Sequence, residues 1–126
     1  MEPLIIDASS STPEVLMQAE NNICRISGNC YPESPELFFQ PVLEWLQEYL
    51  LSCKNINEIP LHFEFNYYNT STSKVIAKLF RMIQDSPNSN KVNIFWHYDE
   101  TDKDMLKAGQ RFSSLYELKF HLKPVV

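Results

Sequence analysis

The chain has 126 residues, 44% of them hydrophobic and 13% aromatic, which is enough to build one domain with a true core and too much for a disordered segment. A formal net charge of -5 sets its surface against nucleic-acid phosphates and anionic lipid headgroups, so neither is an expected partner. No apolar run approaches the ~20 residues that cross a bilayer, and the start lacks the basic region and apolar stretch of a secretion signal, so the expected setting is the cytoplasm.

In chain order, Leu4 to Ile6 is a short apolar run, and residues 15–19 and 23–27 flank the turn pair Asn21-Asn22, which predicts a hairpin closed by Gly28. Ser34-Pro35-Glu36 reads as an N-cap, a proline at the first helical position and an acid in the first turn. Leu37, Phe38, Val42, Trp45, Leu46, Tyr49 and Leu50 follow at helical spacing, so a helix is predicted to run to about Cys53, offset or kinked near Pro41. From Leu61 to Asn66 apolar and polar residues alternate as in a half-buried strand.

That strand runs straight into Asn69 and four hydroxyl residues, Thr70, Ser71, Thr72 and Ser73, and then into Val75, Ile76, Leu79, Phe80 and Ile83 on one helical face. Residues 86–90 carry turn chemistry, and Val92, Ile94, Trp96 and Tyr98 alternate as another strand, completing a strand–helix–strand crossover. The acids of residues 99–104 are expected to open a third helix, with Met105, Leu106 and Phe112, interrupted near its end by Gly109. Leu118, Phe120 and Leu122 alternate as a last strand. The predicted class is α/β (α+β): a single domain over residues 1–126, with an N-terminal β-hairpin, alternating helices and strands, and a mixed sheet bearing the helices.

Cys24, Cys30 and Cys53 are odd in number and form no Cys-x-x-Cys pair, so neither a disulfide framework nor a zinc site is expected. His62, His97 and His121 each stand alone in an alternating stretch, where a structural or surface role is the default unless folding gathers them. No metal and no cofactor are predicted.

The four hydroxyls between strand and helix have two readings. Their side chains can cap the first N–H groups of the helix, which is the structural one. The functional one is that a phosphate, with about -1.5 to -2 charges and three acceptor oxygens, suits the positive end of a helix dipole. Lys74 and Lys78 lie within two turns and could supply counter-charge, although a solvated face shared with Arg81 accounts for them equally.

Further segments bear on the choice: YPES at residues 31–34, PVLEWLQEYL at 41–50, FNYYNTSTSK at 65–74, Trp96-His97-Tyr98, and residues 102–112 with Gly109. Taken together these resemble the SiaC family of bacterial regulatory phosphoproteins, whose fold is similar to STAS-type anti-sigma-factor antagonists. The resemblance covers most of the chain, and its specific part is the combination of the YPE segment with the tyrosine-rich strand ending in Asn-Thr-Ser.

The resemblance implies a partner-switching module for biofilm and cyclic di-GMP signalling, with Thr70 as phosphoacceptor and Ser71 and Thr72 as the nearest competitors. It implies phosphorylation by a Ser/Thr kinase of histidine-kinase-like ATPase fold, reversal by a PP2C-type phosphatase, and binding and activation of a diguanylate cyclase by the unphosphorylated form. Tyr31, Pro32, Glu33, Asn69, Ser71, Ser73, Lys74 and Lys78 are the expected partner-binding residues. Thr72 stands where the family usually has serine, which keeps a hydroxyl, and Gln110 stands where an acid is common.

Two rivals remain at this level. An anti-sigma-factor antagonist acting on an anti-sigma kinase would use the same kind of surface. A small carboxylate-dependent enzyme would have to draw on Glu33 and Glu36, or on Asp99, Glu100, Asp102 and Asp104, whose spacing matches no calcium loop. With only two glycines the chain has neither a glycine-rich phosphate loop nor a Gly-x-Ser-x-Gly elbow, and the chain is read as a non-enzyme.

Overall fold

The computed structural model describes residues 1–126. Strands β1 (Leu4–Ile6), β2 (Glu14–Gln18), β3 (Ile23–Cys30), β4 (Ile59–Tyr68), β5 (Val92–Asp99) and β6 (Lys119–Val125) form one sheet in chain order. The first two pairings are antiparallel and the last three parallel, so the sheet is mixed, as expected. The parallel joins need crossovers, which are α1 (Pro35–Ser52), α2 (Thr70–Gln84) and α3 (Lys103–Leu115).

The buried residues of each strand alternate: Val15 and Met17, Cys24 and Ile26, then Leu61, Phe63 and Phe65, then Ile94 and Trp96. They share one core with the apolar stripes of all three helices, among them Trp45, Leu46, Ile76, Phe80 and Phe112. The opposite face of the sheet carries Leu16, Arg25, His62, Glu64, Phe95, His97 and His121, all half-buried.

Several local expectations shift. The strand β3 continues past Gly28, which does not close the hairpin; it sits at φ +114 beside a register shift between Gly28 and Asn29, the conformation a bulge requires and only glycine adopts freely. The hairpin turn instead places Asn22 at φ +53, fixed from both ends: its Nδ2 donates to the Glu58 carbonyl at 2.8 Å and its Oδ1 accepts from the Tyr49 hydroxyl at 2.8 Å. Helix α1 starts at Pro35 and is continuous through Pro41, with Ser34 at the N-cap position but making no side-chain cap.

Residues 99–102 are a turn rather than a first helical turn: Asp99 Oδ1 accepts from the Thr101 backbone N–H at 2.8 Å, and Asp102 caps α3 by accepting from the Met105 N–H at 3.0 Å. Gly109 does not interrupt α3, which runs on to Leu115. A Cβ there would lie 2.5 Å from Trp96 Cδ1, so the missing side chain is what lets the helix lie against the sheet. Strand β6 extends to Val125, three residues beyond Leu122, and holds Pro124 opposite Tyr98 on the outermost strand, where a missing N–H costs no ladder bond.

Candidate functional site

Because β3, β4 and β5 are parallel, the loops that leave their C-terminal ends gather at one edge of the sheet, the usual place for sites in such sheets. Three of the sequence segments meet there: residues 31–34 after β3, the Asn69 turn after β4, and residues 100–102 after β5. The rings of Tyr31 and Tyr67 are in edge contact at 5.8 Å and are 40% and 54% exposed, an aromatic pair left largely to solvent. Glu33 is exposed beside it, whereas Pro32 is buried and shapes the loop from beneath. Glu36 Oε2 lies 3.8 Å from Lys78 Nζ, which ties the first turn of α1 to α2.

At the start of α2 the cap comes from Asn69, whose Oδ1 accepts from the Thr72 N–H at 3.0 Å while its carbonyl accepts from the Ser73 N–H at 3.0 Å. The capping role offered to the hydroxyls is therefore filled by the residue before them. Thr70 and Ser71 are exposed at the positive end of the helix, Ser73 is half-buried and Lys74 exposed. Thr72 is wholly buried, and its hydroxyl has no nitrogen or oxygen partner. It faces Cys30, whose thiol burial pushes up to about 12, a rise that contact with the Thr72 hydroxyl opposes.

An open cavity of about 480 Å³ lies against this turn. Tyr67, Tyr68, Asn69, Thr70 and Ser73 form one wall, and Asp102, Asp104, Met105, Ala108 and Arg111 of the β5–α3 turn and α3 the other. Tyr68 is held above the usual tyrosine range by burial, and the Arg111 guanidinium acts against that rise. The sequence reading missed Arg111, because nothing in the spacing of residues 70 and 111 says that they share a cavity.

Of the acids weighed for an enzyme, Glu36 faces Lys78, Asp99 accepts from the Thr101 N–H, and Asp102 caps α3 and shares the cavity wall with Asp104; no group of three histidine, cysteine or acid side chains is placed to hold a metal ion. The three cysteines are free and buried.

The histidines do meet, on the sheet face away from the helices. His62 Nδ1 and His97 Nε2 are 2.9 Å apart, His62 and His121 stack on either side of Phe95 at 4.7 and 4.8 Å, and His121 Nε2 reaches Asn93 Oδ1 at 3.0 Å. Burial, then His97 and Arg25, hold His62 below the usual histidine value of 6.5, with Glu64 opposing. A depressed pKa means that the unfolded chain binds the proton more readily. Stability is thus expected to be constant above about pH 7.5, to fall as the pH drops through 6.5, and to level off below the folded-state value. Urea midpoints across pH 5 to 8 check this: His62→Gln should flatten that segment, and an unchanged slope would remove His62 as its source.

The description SiaC family regulatory phosphoprotein matches residues 6–125. No curated protein matches the chain. Among solved structures, apo-SiaC from Pseudomonas aeruginosa is similar at 22% identity and a TM-score of 0.84, over 98% of this chain and 99% of that one. SiaC from the same organism, in a crystal structure with the diguanylate cyclase SiaD that it activates, is similar at 21% identity and a TM-score of 0.85, over 97% of this chain and 99% of that one. At these identities the structures bear on fold, and they agree with the mixed sheet and three helices; the family match spans nearly the whole chain, and this chain belongs to the SiaC family of regulatory phosphoproteins.

Proposed function

We propose that the chain is a cytoplasmic, single-domain partner switch that binds and activates a diguanylate cyclase while unphosphorylated and is turned off by phosphorylation of Thr70. The observation that carries the reading is the geometry of the α2 start. Asn69 does the capping, so the Thr70 hydroxyl stands exposed where a kinase can reach it and where the free N–H groups of the first helical turn can receive a phosphate. Ser71 shares the exposure without matching the family's position, and buried Thr72 would require α2 to unwind before modification.

The kinase is of the histidine-kinase-like ATPase fold and the opposing enzyme a PP2C-type phosphatase. The SiaC–SiaD complex supports a cyclase as the partner, and the exposed aromatic pair at this edge supports docking there. Tyr31, Glu33, Asn69, Ser71, Ser73, Lys74 and Lys78 are the residues proposed to meet the partners, with buried Pro32 setting the loop beneath. The exposed Tyr31–Tyr67 pair is suited to an anchor, since aromatic side chains dominate binding energy at interface centres.

Incubation with ATP and the cognate kinase of the proposed fold, followed by peptide mapping, tests the assignment. A single phosphate on Thr70 is expected, with Thr70→Ala losing nearly all incorporation. Wild-type incorporation into Thr70→Ala would overturn it.

A further inference from the structure

We propose that Arg111, rather than a lysine of α2, is the side chain that holds a phosphate on Thr70. The inference rests on the Thr70 reading above and adds the residue that receives the modification. Arg111 is exposed and is the only basic residue lining the cavity that Thr70 borders. The chain's ion pairs join Arg25 to Glu14 and Glu64, Lys78 to Glu36, and Arg81 to Asp85, so Arg111 has no carboxylate partner to give up. Lys78 by contrast is drawn to α1, and Lys74 does not line the cavity.

The polar and charged groups that a phosphate would meet there come from three sides. From β4 come Tyr67 and Tyr68, and from α2 the free N–H groups of the first turn. From the β5–α3 turn and α3 come Asp102, Asp104 and Arg111. The two carboxylates alone would repel a dianion. Asp102 is engaged with the Met105 N–H, which tempers its charge, and the guanidinium supplies the opposite sign with a planar fork that can bond two phosphate oxygens at once. Its influence already reaches the base of the turn, where it opposes the burial-driven rise of Tyr68. Phosphate and Arg111 together would bridge the start of α2 to α3 and close the cavity mouth.

The test uses full-length protein with phosphothreonine placed at position 70 by genetic encoding, so that it does not depend on which residue the kinase selects. The phosphorus NMR signal is followed from pH 4 to 8. An arginine in contact favours the dianion, so the second phosphate pKa of the wild type is expected about 0.5 to 1 unit below that of Arg111→Gln, whose value should approach the ordinary ~6. Arg111→Lys should recover part of the difference, and Lys74→Gln should leave the titration where it is. Coincident curves for wild type and Arg111→Gln, or a larger change from Lys74→Gln, would overturn the assignment. Modification of a residue other than Thr70 by the kinase would count against the phosphoacceptor reading alone.

Discussion

Phosphorylation of Thr70 is expected to lower affinity for the cyclase by roughly 5- to 150-fold, the range given by a coupling of about 1 to 3 kcal/mol between two sites. A partner packed over the exposed Tyr31–Tyr67 pair and the Asn69 turn would have to cover a dianion, which costs desolvation as well as space. In the free protein the same phosphate sits at the positive end of α2, beside the cavity that Arg111 lines, so its energy is lower there than in the complex. Thr70→Ala is expected to bind as well as the unmodified protein, and Thr70→Asp to bind worse, though by less than phosphate because it carries less charge. Calorimetric titration of the four forms against the cyclase, with circular dichroism to verify folding, decides it; tighter binding by the phosphorylated form would reverse the sign of the switch.

Trp96→Ala is expected to cost about 3 to 5 kcal/mol of stability, the usual range for deleting a buried large aromatic. The indole is fully buried, with the rings of Phe63, Phe65, Tyr68 and Phe112 within 5.5 to 6.2 Å, so sheet, α3 and the strand leading to Thr70 all lose contacts together. Its Nε1 also donates to the Met105 carbonyl at 3.0 Å. Trp96→Phe keeps much of the ring but removes that bond, which should cost about 1 to 3 kcal/mol. Urea unfolding of both variants provides the measurement. A loss below about 0.5 kcal/mol for Trp96→Ala, the scale of a surface change, would mean that α3 is not held through this residue.

The elements legible in the sequence are those whose signals are local. Ser34-Pro35-Glu36 marks the start of α1 to the residue, and the alternation of residues 61–66 and 92–98 marks β4 and β5 with the correct buried face. Gly109 reads as an interruption in the sequence because glycine is poor in helices, but its reason for being there is Trp96, a residue 13 positions away that leaves no room for a Cβ. The acids of residues 99–104 look like a helical first turn because caps and first turns favour the same side chains; only the hydrogen bonds of Asp99 and Asp102 separate the two.

The candidate site shows the same division. Asn69 and Thr70 are visible because strand, turn and helix follow one another without a gap. Arg111 became visible only when the β5–α3 crossover had placed α3 beside that turn. The histidines are likewise solitary in sequence and become neighbours through strand register, which sets His62 opposite Phe95 and Phe95 opposite His121.

The sheet's strand order has a consequence for how the chain is made. Every strand is bonded to the one before it in the chain, and none has to be inserted between two strands already paired. Each new pairing therefore closes only the loop or crossover just completed, which keeps the entropy of closure small and the search short. As the chain leaves the ribosome the sheet can lengthen by one strand at a time from the β1–β2–β3 meander, each crossover helix covering the newest strand's apolar face as it docks. Until β6 arrives, the unpaired N–H and C=O groups along the outer edge of β5 wait for a partner, so truncation after α3 should yield a chain that aggregates rather than one that is merely shorter.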